Sequence, residues 1–443
     1  MEKGIIIVGA GPSGLMAALK LTEAGYHVTV VEVKQNMETI SRACSMQFIM
    51  DDDYEADVLT VAGDGKLRFE KCGLEVPYTG KLVPVYNKYY HSPRDHIIRF
   101  TRDDGKTPFS YKFEKQVLLK GLYEQCERVG VTFRMGTLVL GGKDLGDHVE
   151  LQVKQQGRKE TLSCAKLIIA EGVNAIVSGK FGLNADRPLI TTAYSMKYIM
   201  EGITGIEDFS WNLYYGAAYR SHAAAIIGPS LEGEGIYEVT ITGSKDQMPQ
   251  QIFEGFTESS PMAANFANAK TLKKVGCSVK AFMPMKQPCK GNVMAIGDSA
   301  AMIEVEVQGG LLCGYMAAKA LADEMDGKNG FAAYTKWWMD SFEFNSSDYL
   351  RVSQGYALTF AYTDDELDYL FSLVEGHPLH GTYSQYLTPK LIWEGIHLHD
   401  VRIQAERPEI YAKMKKLGAG LSGTLGYFRT PHCSIPVLAE PNG

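Results

Sequence analysis

The chain has 443 residues and a formal net charge of −7; 45% of its residues are hydrophobic and 22% are charged. This composition is typical of an ordinary globular protein with a sizeable core. The acidic balance argues against nucleic acid as a partner, because phosphate binding needs a basic surface. No apolar run approaches the roughly 20 residues needed to cross a bilayer, so we expect no transmembrane segment.

The N-terminal stretch GIIIVGAGPSGLMAALKLTEAGYHVTVVE predicts a strand, a tight loop, a helix and a second strand that ends at Glu32. Gly9, Gly11 and Gly14 have the G-x-G-x-x-G spacing, which permits a tight turn, close approach of the backbone to a pyrophosphate and close helix packing. The helix N-terminus favours the negative charge of the phosphates. A carboxylate at the end of the second strand is placed to bind a ribose diol. The stretch therefore predicts a dinucleotide site.

A second element of this kind occurs far downstream, in AIGDSAAMIEVEVQGG. An apolar strand through Ile296 is broken by Gly297 and Asp298, and we expect Gly309 and Gly310 to open the next helix. A simple NAD dehydrogenase has no need of this second element. A protein that binds FAD does need a second element, because the ribityl chain and isoalloxazine of FAD extend well beyond its adenosine half.

Together these motifs resemble the para-hydroxybenzoate hydroxylase-like FAD-dependent oxidoreductase superfamily. The resemblance implies an α/β (α+β) fold class: a Rossmann-like FAD-binding domain, an antiparallel-sheet substrate domain and a helical C-terminal region. It also implies FAD as cofactor, with Asp298 bonding the ribityl chain, Lys115 contacting the cofactor and the backbone at Val139 cradling adenine. The implied FAD-binding residues are Gly9, Gly11, Pro12, Ser13, Gly14, Glu32, Val33, Arg42, Ala43, Lys115, Val139, Gly297, Asp298, Gly309, Gly310 and Leu311.

The chain departs from the family pattern in LIIAEGVNAIVSG, where Glu171 replaces the Asp of an Asp-Gly motif. We predict a discontinuous FAD-binding domain, a substrate-binding sheet domain and the helical C-terminal region. Their bounds are 1–74, 113–187 and 280–330 for the first, 75–112 and 188–279 for the second, and 331–443 for the third. Asp104-Gly105 is expected to turn a hairpin between two strands of the substrate sheet.

Within this superfamily the chain is most similar to the geranylgeranyl reductases, from its Gly-Asp loop and long helical C-terminus. The implied activity is reduction, or the reverse dehydrogenation, of a carbon–carbon bond in a small apolar or isoprenoid-like substrate by hydride transfer through flavin N5. Two alternatives stay open: an FAD-dependent monooxygenase or halogenase, and a relay resembling electron-transfer-flavoprotein–quinone oxidoreductase. The electron donor or acceptor is equally open between a ferredoxin, a flavoprotein and NAD(P)H.

The cysteines are scattered and contain no C-x-x-C pair. That usage predicts a reducing, cytoplasmic compartment and gives no metal-binding signature.

Three residues are candidates for catalysis: Cys44, Glu304 and Glu306. Cys44 lies where reductases of this kind place a residue close to the flavin ring, although a small buried apolar cysteine is the alternative. The two glutamates alternate in a stretch that we expect to be strand-like, so both point the same way. Either one lines the substrate side of the flavin as a proton donor, a partner for a cationic group or a metal ligand, or both belong to a solvated loop edge or pair structurally with Arg or Lys.

Overall fold

The computed structural model describes residues 4–38, 43–51, 57–221, 223–347, 349 and 361–418. Within them the chain forms twenty-three strands and ten α-helices. The strands are β1 (Ile5–Val8), β2 (Val28–Val31), β3 (Gln47–Ile49), β4 (Leu59–Ala62), β5 (Lys66–Phe69), β6 (Leu74–Pro77), β7 (Leu82–Val85), β8 (Asn87–His91), β9 (Ile97–Thr101), β10 (Ser110–Phe113), β11 (Thr132–Arg134), β12 (Thr137–Asp144), β13 (Val149–Gln155), β14 (Arg158–Cys164), β15 (Lys166–Ile169), β16 (Leu189–Glu201), β17 (Ser210–Tyr214), β18 (Ala225–Pro229), β19 (Ile236–Gly243), β20 (Lys270–Phe282), β21 (Cys289–Lys290), β22 (Val293–Ala295) and β23 (Leu379–His380). The helices are α1 (Pro12–Glu23), α2 (Lys115–Val129), α3 (Ile176–Lys180), α4 (Pro249–Ser259), α5 (Glu306–Met325), α6 (Gly330–Ser341), α7 (Asp364–Val374), α8 (Leu387–His397), α9 (Asp400–Glu406) and α10 (Pro408–Gly418).

A six-stranded sheet carries both glycine loops. Its strand order is β11-β2-β1-β15-β22-β21, with β21 as an antiparallel edge strand beside otherwise parallel neighbours. The central strands are short, buried runs such as IIIV in β1, as expected for a parallel sheet covered on both faces. Because β1 and β22 both belong to this sheet, the loops that follow them leave from the same edge.

Helices α1 and α5 pack closely against each other over this sheet, and small residues make the close approach possible. A Cβ at Gly314 in α5 would overlap the backbone of Ser13 in α1. The main hydrophobic core lies around this crossing and includes Leu15, Met16 and Leu311, all at most 1% exposed. The two loops are therefore attached to one rigid layer.

Three small sheets surround the six-stranded one. Strands β3, β10 and β7 form an antiparallel sheet in the order β3-β10-β7, and β12, β13 and β14 form a meander, as do β4, β5 and β6. Strand β3 brings the segment after Ala43 beside the N-terminal half of α5, because the side chain of Gln308 is hydrogen-bonded to the backbone of Ile49.

An eight-stranded mixed sheet forms the second large layer, in the order β20-β16-β19-β18-β17-β8-β9-β23. Its last strand comes from the C-terminal region, where α7 and α8 pack Phe371 and Ile392 against Phe100 of β9. The predicted fold class is confirmed. Across the described ranges, no helix combines the length and apolar character that a bilayer crossing requires.

The predicted hairpin at Asp104-Gly105 is wrong. Strand β9 pairs with β8 and β23, whereas the following β10 pairs with β3 and β7 in another sheet. Asp104 still makes a turn, since its carboxylate accepts hydrogen bonds from the amides of Lys106 and Thr107. The turn chemistry was visible in the sequence, but the partners of the flanking strands are set by tertiary pairing.

Candidate active site

The loop between β1 and α1 contains three glycines that differ in what surrounds them. Gly9 has a φ of +105°, and a Cβ there would overlap the carbonyl oxygen of Ala170. A Cβ at Gly14 would overlap the carbonyl oxygen of Gly9. At Gly11, by contrast, nothing lies within 4 Å of a Cβ. Gly9 and Gly14 thus allow the fold, and Gly11 leaves open space in front of the helix.

That open space lies at the N-terminus of α1, which begins with Pro12 and has no side-chain cap at Gly11. The first backbone N–H groups of a helix lack intrahelical partners, so this end presents donors and the positive end of the helix dipole. A pyrophosphate supplies the matching acceptors. The loop therefore fits the pyrophosphate of FAD.

Glu32 lies at the end of β2 and is 5% exposed. One of its carboxylate oxygens accepts a hydrogen bond from Ala10 N at 2.7 Å and the other from Lys34 N at 2.8 Å. The carboxylate thus ties the glycine loop to β2 and retains lone pairs for a ribose. The neighbouring Val33 is 61% exposed, and Val139 is buried in the cluster beneath β12.

The second loop touches the first. Gly297 has a φ of +62°, and a Cβ there would overlap the Ser13 hydroxyl of α1. Asp298 is half-buried, and its Oδ1 accepts a hydrogen bond from Val305 N at 2.9 Å, which closes the loop onto the start of α5. The structure thus brings Ser13, Gly297 and Asp298 together, as the proposed cofactor path requires.

The prediction that Gly309 and Gly310 open the helix is wrong, because α5 already begins at Glu306. The physical reason is packing. A Cβ at Gly310 would lie 3.2 Å from Ser13 Oγ, so a glycine is used inside the helix where α5 crosses α1. Leu311 is fully buried below the crossing. The N-cap residue Val305 has no side-chain cap, so this helix end also presents free N–H donors.

Cys44 and Lys115 are in contact. Lys115 is the first residue of α2, and its ammonium donates to the Cys44 thiol at 3.4 Å. The carbonyl of the preceding Ala43 accepts from the Cys277 thiol at 3.7 Å. Arg42 lies outside the described residues.

Glu306 lies near the same contact. It is 8% exposed, has a φ of +55°, and accepts no hydrogen bond through its carboxyl from any residue that the structure describes. Burial, followed by the charge of Glu304 and then that of Cys44, holds the pKa of Glu306 well above its usual range. Lys115 opposes this rise only in part. Glu306 is therefore a buried carboxyl whose neutral form is favoured, and its backbone is strained.

Glu304 differs from Glu306. It is half-buried, and its Oε1 accepts a hydrogen bond from Gln385 Nε2 at 3.4 Å. The expected strand-like stretch is absent, since residues 301–303 form bends and Glu306 belongs to the helix. The two carboxyls consequently have different environments. They are near enough for the charge of Glu304 to contribute to the raised pKa of Glu306.

Sequence reasoning missed several residues that hold this site together. Arg187, 6% exposed, donates to the carbonyl oxygens of Met283 at 2.6 Å and Ser299 at 2.7 Å, and also to that of Ala301. Its guanidinium therefore holds the second loop in place through the carbonyl oxygens of Ser299 and Ala301. No local motif indicates this role, because the contacts span about a hundred residues of chain.

Glu171, the departure from the Asp-Gly motif, has a structural role here. Its carboxylate accepts from Val177 N at 2.7 Å and from Ser178 N at 2.6 Å, at the start of α3. A carboxylate there satisfies the unpaired donors of the short helix. The residue that distinguishes this chain from the family pattern is thus engaged in folding.

Comparisons with known proteins agree with this geometry. The family described as FAD binding domain matches residues 2–311. A relative named digeranylgeranylglycerophospholipid reductase 1, from Methanococcoides burtonii, is 22% identical over 378 residues, which cover 83% of this chain and 86% of that protein.

Solved structures share the fold. A geranylgeranyl bacteriochlorophyll reductase-like protein from Thermoplasma acidophilum superposes with a TM-score of 0.69 and 18% identity, covering 94% of this chain and 99% of the other. A flavin-dependent brominase superposes with a TM-score of 0.57 and 15% identity, covering 95% and 94%. The fold alone is therefore compatible with more than one flavin chemistry.

The family match spans most of the chain and includes both loops, and the geometry of those loops fits FAD. The chain belongs to the FAD binding domain family, and it is an FAD-dependent oxidoreductase.

Proposed function

We propose that this oxidoreductase reduces carbon–carbon double bonds in the geranylgeranyl chains of a glycerophospholipid. The single observation that carries the proposal is the relative from Methanococcoides burtonii, whose name states this substrate and whose alignment covers 83% of the chain.

The cofactor residues of this proposal are those that surround the two loops. Gly9, Gly11 and Gly14 with Glu32 bind the adenosine and pyrophosphate half, and Gly297 and Asp298 lie along the ribityl path. The remaining members are Pro12, Ser13, Val33, Arg42, Ala43, Lys115, Val139, Gly309, Gly310 and Leu311.

Saturation of one double bond adds a hydride to one carbon and a proton to the other. FAD, when bound and reduced, supplies the hydride. The proposal assigns the proton to Glu306, because burial holds the pKa of this carboxyl well above its usual range, which suits a general acid. Cys44 and Lys115 lie close to Glu306 and border the reacting region.

The proposal places the substrate beside the eight-stranded sheet and the segment before α8. Tyr383 lies in that segment, and burial, followed by the charges of Glu306 and Glu304, raises its pKa well above the usual range. Trp211 of β17 contacts the Tyr383 ring edge-on, with a centroid distance of 6.2 Å. Aromatic walls of this kind suit an apolar isoprenoid chain.

The proposal also places the protein in the cytoplasm. The described part of the chain contains seven cysteines, all free, which is typical of a reducing compartment.

The experiment is anaerobic. The purified holoprotein is reduced with dithionite and mixed with digeranylgeranylglycerophospholipid in detergent micelles. We expect the flavin absorbance to return without oxygen, and the lipid mass to rise by two hydrogens for each saturated bond. Reoxidation that requires oxygen, with a hydroxylated or halogenated product, would overturn the proposal in favour of a monooxygenase or halogenase. Ferredoxin, a flavoprotein and NAD(P)H then replace dithionite in turn to identify the donor.

The acid is tested with Glu306→Gln and Glu304→Gln. We expect both variants to retain FAD, and Glu306→Gln to show the larger loss in turnover, about 10²- to 10⁴-fold as for other general acids. Glu343→Gln is the matched control: burial raises the pKa of Glu343 to about 7, but its carboxylate is bonded by the Ser384 hydroxyl rather than placed at the second loop. Wild-type turnover in both test variants would make the two glutamates a loop edge only.

A further inference from the structure

Three charged side chains meet in the interior where β10, β16 and β19 converge. Lys112, Lys197 and Glu238 are 0%, 3% and 3% exposed. One carboxylate oxygen of Glu238 accepts from the Lys112 ammonium, and the other accepts from Lys197 Nζ at 3.1 Å. We call these three residues the Lys–Glu–Lys clamp.

Both ammonium groups also bind one short segment of backbone. Lys197 Nζ donates to the carbonyl oxygen of Cys44 at 3.0 Å, and Lys112 Nζ donates to that of Ser45 at 2.7 Å. Two consecutive carbonyls are thus held by two lysines from different strands, and Glu238 fixes the distance between the lysines.

Burying three charged side chains is an unfavourable way to stabilise the protein interior. Burying ions carries a large desolvation penalty, and apolar side chains of similar volume are often at least as stabilising. The clamp has two positive charges and one negative charge in a region from which water is excluded. Its contribution must therefore be sought in the geometry that it fixes.

The fixed geometry is that of Cys44. The clamp holds the carbonyl side of this residue, while the thiol contacts the Lys115 ammonium at 3.4 Å and lies close to Glu306. The adjacent Met46 has a φ of +52°, a conformation that a non-glycine residue keeps only when its surroundings impose it.

We propose that Lys112, Lys197 and Glu238 are positioning residues that hold the Cys44–Ser45 peptide so that the Cys44 thiol faces the cofactor site beside Lys115. This inference rests on the proposed function in one respect: it assumes, as the proposed function does, that the Cys44 thiol borders the reacting region.

The test measures the accessibility of the Cys44 thiol directly. Holoprotein is treated with iodoacetamide, and alkylation of each cysteine is followed by peptide mass spectrometry, with Cys289 as internal reference. Lys197→Met removes the bond to the Cys44 carbonyl, and we expect alkylation of Cys44 to accelerate about tenfold or more, as for the loss of one hydrogen bond from a charged donor. Lys112→Met has the same expected effect. Lys197→Arg should keep the alkylation of Cys44 as slow as in the wild type, because a guanidinium can donate both to the Cys44 carbonyl and to the Glu238 carboxylate.

Lys88→Met is the matched control. Lys88 is also buried, at 3% exposure, but its ammonium donates to the Thr388 hydroxyl at 2.8 Å and does not touch the Cys44–Ser45 peptide. We expect its removal to lower stability without changing Cys44 alkylation. Should Lys197→Met fail to fold, Lys197→Met/Glu238→Gln removes one cation together with one anion and tests the same bond.

Wild-type alkylation of Cys44 in the folded Lys197 and Lys112 variants would overturn the inference, and so would equal acceleration in Lys88→Met. The alkylation needs no lipid, so its outcome does not depend on whether the proposed substrate is correct. With a working substrate, Lys197→Met should lower kcat more than it changes KM, since it displaces the Cys44–Ser45 peptide, whereas the Lys112 ammonium also lies 5.3 Å from the centroid of the Trp211 ring.

Discussion

Gly11→Val separates folding from cofactor binding. Gly11 has φ −84° and ψ −176°, an extended conformation that suits a β-branched residue, and nothing lies within 4 Å of its Cβ. The substitution should therefore change the free energy of unfolding of the FAD-free protein by about 1 kcal/mol or less, the range for exchanging one N-cap residue. The new side chain would, however, occupy the space in front of α1 where we expect the pyrophosphate.

The expected loss in FAD affinity follows from the bonds that this side chain blocks. Hydrogen bonds to a charged group contribute about 1.5–3 kcal/mol each, so two lost bonds to phosphate correspond to about 10²- to 10⁴-fold in Kd. Thermal unfolding of the FAD-free protein and titration with FAD, followed by flavin fluorescence, measure the two effects separately. Unchanged FAD affinity in Gly11→Val would refute the placement of the pyrophosphate at this loop.

Gly14→Ala is the matched contrast, because its Cβ would overlap the carbonyl oxygen of Gly9. We expect it to destabilise the FAD-free protein by about 1–3 kcal/mol, as for other overpacked sites. If Gly14→Ala folds as well as the wild type, the close packing that the structure gives to this loop is wrong.

Two further predictions concern buried charges. Because burial raises the pKa of Glu306, its ionisation opposes folding, so the stability that the protonated form contributes is present at low pH and lost as pH rises through the folded-state pKa. At alkaline pH, Glu306→Gln should therefore be more stable than the wild type by about 1.4 kcal/mol for each unit of difference between the folded and unfolded pKa of Glu306, and at acidic pH it should not. Denaturant unfolding at several pH values measures the difference in the free energy of unfolding. A pH-independent difference would contradict this prediction. Arg187→Met leaves the carbonyl oxygens of Met283, Ser299 and Ala301 without their donor. Because each buried unpaired group costs about 1–3 kcal/mol, we expect a lower Tm together with weaker FAD binding. An unchanged FAD affinity would show that Arg187 does not fix the second loop.

The first nucleotide loop could be predicted from sequence because every signal for it is local. The β-branched run of β1, the glycine spacing and the terminal Glu32 all lie within one stretch of chain. Gly9 and Gly14 also have a conformational or packing reason, and the one distant partner involved is the carbonyl of Ala170, directly after β15. Local consistency of this kind makes a motif readable.

The start of α5 could not be predicted in the same way. Gly309 and Gly310 look like a helix opening, but they lie inside α5, where Gly310 packs against Ser13 of α1, far away in the sequence. The clamp was invisible for the same reason. Lys112, Lys197 and Glu238 come from three strands whose pairing no periodicity reveals.

The most costly features of this molecule lie around one point. Glu306 combines a buried carboxyl, a raised pKa and a left-handed backbone, and the clamp beside it buries three ions. Each of these lowers stability relative to an apolar alternative. The clamp binds the Cys44 carbonyl from the eight-stranded sheet, Lys115 contacts the thiol, and the charge of Cys44 contributes to the raised pKa of Glu306. The chemistry of this enzyme should therefore be sought between Cys44 and Glu306, and the sheet that supplies Lys197 and Glu238 should determine which substrate reaches them.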